Sequence, residues 1–88
     1  NYMSNFKLAK SKITRYMIES FFPGGRWTGR EYFVLSPLRP DRNIGSFHIN
    51  ESGVWFDHAT NEGGDFITLV SRSNNCTPGQ AVDRILGK

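Results

Sequence analysis

The stretch Phe56-Asp57-His58-Ala59-Thr60-Asn61-Glu62-Gly63-Gly64-Asp65-Phe66 joins an aromatic segment to an apolar one, and it limits the possible folds more than any other part of the chain. Adjacent glycines permit left-handed backbone and close approach of neighbouring chain. An aspartate directly after them caps a helix or complements its positive end. Beyond it, Phe66, Leu69 and Val70 recur at i, i+3 and i+4, one apolar face of a helix. The expectation is a tight strand-to-helix turn built on Gly63, Gly64 and Asp65. Glycines before a helix can instead cradle a phosphate, but Asp65 competes with an anion for the same N–H groups.

The rest of the chain supplies partners for that corner. Residues 10–22 carry Ile13, Met17 and Phe21 four apart and predict one helix, stopped by Pro23-Gly24-Gly25. Lys10, Lys12 and Arg15 fall near its N-terminal end, against the helix dipole, so helix stability does not explain them. Residues 1–9 are expected to be a flexible lead-in. Residues 31–35, 46–50 and 54–58 read as strands, and Gly53 suits a left-handed hairpin position. The helix after Gly64 ends near Ser73-Asn74-Asn75. A last one is marked by Thr77 as N-cap, Pro78 at the first position, Gln80 completing a capping box and Gly87 as stop. These elements predict an α+β domain: a three- to four-stranded antiparallel sheet with an N-terminal helix and a C-terminal helical hairpin.

At 88 residues this is one small domain, and its one cysteine, Cys76, allows no internal disulfide. His48, His58 and Cys76 have no zinc spacing, so the 12 Phe, Tyr and Trp residues must supply much of the stability. The free cysteine fits a reducing, cytoplasmic setting. No apolar run is long enough to span a membrane, and no secretory signal is present. Beginning at Asn1, the chain reads as a piece of a longer protein or as carrying a cloning remnant. Net charge is unevenly spread: +5 over residues 1–42 and −2 over residues 43–88. A basic half rich in aromatic residues fits a nucleic-acid surface, and equally a solvated face.

The order of elements adds to this. Tyr32 to Pro37, Gly45-Ser46-Phe47-His48-Ile49, Trp55-Phe56, Gly63-Gly64-Asp65-Phe66-Ile67 with Leu69-Val70, and Ala81-Val82 followed by Ile85-Leu86 together resemble the N-terminal zinc-binding domain of bacterial and phage DNA primases and primase-helicases. The resemblance covers about residues 10–87. It implies a zinc-ribbon-like sheet, but the positions that the family fills with Cys-x-x-His and Cys-x-x-Cys hold Ser36 and Arg39, then Asp57 and Thr60. Arg39 cannot ligate a metal, because guanidinium stays protonated. The resemblance therefore implies a degenerate, zinc-free form with no cofactor, of the kind found in phage and mobile-element proteins; Gly53-Val54-Trp55 fits that variant. Aromatic packing of Phe33, Phe47, Trp55, Phe56 and Phe66, and an Arg39–Asp57 pair, are expected to replace the metal.

The chemistry left is binding. There is no Walker-type loop and no carboxylate cluster fit to hold catalytic metal ions. Asp57, Glu62 and Asp65 read as caps and solvated acids, Cys76 has no identifiable base, and His48 and His58 read as structural. The domain is not expected to be an enzyme by itself. Single strands are held by basic grooves and stacking rings. Arg26, Trp27, Arg30 and Tyr32 lie in a glycine-rich, mobile loop that offers both, with Trp27 read equally as exposed or as a lid on the core. Arg39 and Arg42, then Lys10, Lys12 and Arg15, extend the track. The expected partner is single-stranded DNA beside an adjacent primase or helicase domain. The alternative is a scaffold docking to a helicase, polymerase or other replication protein.

Overall fold

The computed structural model describes residues 2–88, the side chain of Tyr2 excepted. Helices α1 (Tyr2–Ser11) and α2 (Arg15–Phe21) are followed by strands β1 (Arg26–Thr28), β2 (Glu31–Phe33), β3 (Phe47–Asn50), β4 (Trp55–Asp57) and β5 (Glu62–Gly64), then helices α3 (Phe66–Asn74) and α4 (Pro78–Leu86). The sheet is a pure antiparallel meander in the order β1-β2-β3-β4-β5. The α+β class holds, with two strands more than the three read from periodicity.

The N-terminal part departs from expectation. Of the lead-in expected to be flexible, residue 1 lies outside the described residues and residues 2–9 belong to α1, which packs on α4 and buries Ala9 fully. The single helix over 10–22 is split. Thr14 is extended and its hydroxyl accepts from Met17 N at 3.1 Å, capping α2. A threonine that satisfies an orphan N–H in this way favours a helix start over a helix interior. Lys10 therefore lies in the last turn of α1, where its charge complements the dipole.

One face of the sheet packs on the helices. Tyr32, Phe47, Ile49 and Trp55 point inward against Ile18 of α2 and its C-cap Phe22, Phe66, Leu69 and Val70 of α3, and Ala81, Val82 and Ile85 of α4. Phe66 lies nearly perpendicular to Phe21 and Phe22, with ring centroids 5.6 and 5.8 Å apart, and Phe47 stacks on Trp55 at 5.6 Å. A fully buried ring of this kind contributes about 2–3 kcal/mol. Phe33 and Phe56, expected here, lie on the opposite face.

The caps follow the expectations. Asp65 caps α3 by accepting from Thr68 N at 2.8 Å, and left-handed Asn75 ends it. Thr77 and Gln80 form the capping box of α4, with Pro78 at its start and Gly87 left-handed at its end. Gly53, at φ 92°, closes the β3–β4 hairpin.

The glycine corner differs from expectation. Neither Gly63 nor Gly64 is left-handed; they form edge strand β5, and close approach is what requires them. A Cβ on Gly63 would lie 2.8 Å from Trp55 O and 2.9 Å from the Phe56 ring, and one on Gly64 3.2 Å from Trp55 Nε1. That indole N–H donates to Asp65 O at 2.9 Å, tying the aromatic strand to the start of α3.

Candidate nucleic-acid interface

The four positions expected to be relieved of zinc do converge in space. Ser36 follows β2, Arg39 lies in the β2–β3 loop, Asp57 ends β4, and Thr60 lies in the turn to β5. Arg39 Nε donates to Asp57 Oδ2 at 2.7 Å and its Nη2 to Asp57 Oδ1 at 3.1 Å. The same guanidinium reaches Ser46 Oγ at 2.8 Å and Asp41 Oδ1 at 3.4 Å. Asp41 in turn accepts from Ser36 N at 2.8 Å, and Ala59 N donates to Asp57 Oδ1 at 2.9 Å. The Arg39 hydrogen bonds hold the buried Asp57 carboxyl below its ordinary range, against a burial effect that raises it; the Ala59 N–H and Thr60 also lower it. Asp57 raises Arg39 in return.

These residues do not fit a zinc ion. A fixed cation fills the centre, and among the described residues no three His, Cys, Asp or Glu side chains gather to hold a metal. The expected Arg39–Asp57 pair is present.

The residues proposed for nucleic acid divide into three groups. Arg15, Trp27, Arg30 and Tyr32 come together at one end of the sheet. Arg15 covers the Trp27 ring at 4.4 Å, donates to Gly29 O at 3.0 Å and shares Glu51 with Arg30, at 3.0 and 3.7 Å. The segment expected to be a mobile loop is the β1–β2 hairpin, turning at Gly29 and Arg30. Trp27 is half-buried beneath Arg15, with its Nε1 buried and lacking a partner among the described residues. Tyr32 must be corrected as a contact residue. It is 1% exposed, its ring packs on Trp27, and its hydroxyl donates to Phe22 O at 2.7 Å and accepts from Gly25 N at 2.9 Å. A ring so enclosed has no face for a base.

The second group is scattered. Lys10 lies 4.0 Å from Asp65 and over the Phe6 ring, Lys12 and Arg42 are exposed, and Arg39 is engaged with Asp57 and Asp41. The third is Arg26, which opens a row that runs across the whole outer face. Arg26 pairs with Phe33, Phe33 with His48, His48 with Phe56, and Phe56 with Gly63. Directly paired residues share a face, so one line of positions crosses five strands, the first four carrying side chains, with Phe33, His48 and Phe56 half-buried. Phe33 and His48 lie 5.2 Å apart. His58, just past β4, joins the row: 4.8 Å from Phe56 and 5.0 Å from His48, ring to ring.

Sequence reasoning missed Phe33, His48, Phe56 and His58 as a surface. The signal was present: with Phe47 and Ile49 facing in, the pleat turns His48 outward, and the register then carries its partners Phe33 and Phe56 with it.

No family profile and no curated protein matches the chain. Among solved structures, the crystal structure of the Aquifex aeolicus primase, described as its zinc binding and RNA polymerase domains, is similar at a TM-score of 0.76 and 20% identity. The match covers 94% of this chain and 21% of that one, so this chain spans about a fifth of the length of the primase chain. The likeness shows a shared fold. Among the described residues no helix is long and apolar enough to cross a membrane.

Proposed function

We propose that this domain is a zinc-free, non-catalytic module that binds single-stranded DNA for a primase or primase-helicase, of the kind carried by phages and mobile elements. The observation that carries the reading is the outer row Arg26–Phe33–His48–Phe56, a basic end followed by half-exposed rings on one face of the sheet. Bases stack on such rings irrespective of sequence, each contact contributing about 1–3 kcal/mol, while arginines meet the phosphates. Arg30 and Arg42, both exposed, extend the positive surface at either end of the sheet. The primase-like fold supports a place beside a nucleic-acid-processing domain.

The test is a titration of labelled single-stranded oligonucleotide at two salt concentrations. Binding is expected to weaken steeply with salt, to fall in an Arg26/Arg30 double alanine variant, and to fall at both salts in a Phe33/Phe56 double alanine variant. Absence of binding at low salt, with tight association to a helicase or polymerase domain, would replace this reading with the docking scaffold.

A further inference from the structure

Glu31, His48 and His58 form a hydrogen-bonded chain across the outer face. His48 Nδ1 lies 2.7 Å from Glu31 Oε1, and His48 Nε2 lies 2.9 Å from His58 Nε2. Bond directions follow from elimination. An ionised carboxylate only accepts, so His48 Nδ1 carries a proton and donates. In the neutral pair His48 Nε2 is then a bare acceptor, and His58 Nε2 must donate to it. That leaves His58 Nδ1 without a proton and without a protein partner among the described residues, on an exposed ring at the end of the row.

One added proton has a defined destination. Placed on His58 Nδ1, it leaves both hydrogen bonds of the chain intact and gives the outer ring a positive charge and a free N–H donor. Placed on His48 Nε2, it keeps the 2.9 Å hydrogen bond only if His58 carries its own proton on Nδ1 instead, so the outer ring gains the Nδ1–H donor in either arrangement. The other charged groups near the chain are Arg26, beyond Phe33 on β1, and Glu51 with Arg30 at the hairpin end beside Glu31. Phe33 and Phe56 flank the two imidazoles, and Asp57 is on the opposite face, engaged by Arg39. Nothing acidic but Glu31 is bonded to either ring among the described residues.

We infer that the Glu31–His48–His58 chain is a proton-gated phosphate site: His58, protonated at Nδ1 and held in place by His48, donates to a phosphodiester oxygen of the bound strand. This rests on the proposed DNA-binding reading and adds a site and a proton linkage to it. The charged form binds phosphate and the neutral form does not, so affinity rises as pH falls.

The experiment is fluorescence anisotropy of the whole chain with labelled oligothymidylate at pH 8.0 and 6.0, at equal ionic strength. The native domain is expected to bind about tenfold tighter at pH 6.0, the factor of one charge-assisted hydrogen bond. His58→Gln, on an exposed residue that leaves the core untouched, is expected to lose the gain and bind equally at pH 8.0 and 6.0. Glu31→Gln is expected to reduce the gain, and Arg26→Ala to weaken binding at both pH values with the ratio unchanged. Equal affinity at both pH values, or a gain that survives His58→Gln, would overturn the phosphate site and leave the DNA-binding reading standing. No binding even at pH 6.0 would overturn both.

Discussion

Arg39 and Asp57, eighteen positions apart, meet through two parallel hydrogen bonds of 2.7 and 3.1 Å, where the family resemblance places a metal ion. A guanidinium fork matches a carboxylate in plane, so a single pair joins the β2–β3 loop to the end of β4. Asp57 is 2% exposed, and its charge depends on that partner. Asp57→Ala is expected to cost about 2 kcal/mol in urea unfolding, below the roughly 3–5 kcal/mol of a fully buried pair, because Arg39 is partly exposed and keeps Asp41. A loss under 0.5 kcal/mol would show that the pair does not hold the corner.

The same pair fixes how stability depends on acid. The folded carboxyl of Asp57 is held low, so its contribution is complete above the unfolded aspartate value, near 4, and is lost as pH falls through the lower folded value. Arg39 keeps its proton throughout. Thermal melts from pH 7 to 2 should therefore show little loss from this pair down to about pH 4 and a decline below it. Asp57→Asn should lower the plateau and flatten its share of that decline. A native curve parallel to that of Asp57→Asn across the whole range would remove the linkage.

Zinc should be neither bound nor needed. Elemental analysis of the purified domain is expected to find no stoichiometric zinc, and a strong chelator to shift the melting temperature by less than about 1 °C. A small module folded by zinc instead draws about 10–16 kcal/mol from the ion. One equivalent of zinc would overturn the assignment of Ser36, Arg39, Asp57 and Thr60 as replaced ligands.

Gly63→Ala is expected to destabilise the domain by about 1–3 kcal/mol, because its methyl group would press on Trp55 O and the Phe56 ring. Amide spectra should change most in β4 and β5. A neutral effect would mean that the Phe56 ring is not fixed over β5.

Tyr32→Phe separates structure from binding. It removes two hydrogen bonds made by a buried hydroxyl and is expected to cost about 1–2 kcal/mol in stability, with oligonucleotide affinity unchanged. Affinity that falls while stability holds would restore Tyr32 as a contact residue.

Signals that act over a few residues were legible in the sequence. The caps at Asp65, Thr77 and Gly87, the strands around Phe47 and Trp55, and the inward Ile49 all follow from local hydrogen-bond geometry and periodicity. The Arg39–Asp57 pair was legible through family resemblance alone. Tertiary contacts decided the rest. Three-residue strands such as Arg26–Thr28 and Glu62–Gly64 are too short for a period and exist because a neighbour offers a ladder. Helix α1 takes its partner, α4, from the far end of the chain. The outer row from Arg26 to Gly63 required the register of all four strand pairs at once. Composition located the rings; only pairing set which face of the sheet each would occupy, because a slip of one residue turns every side chain over.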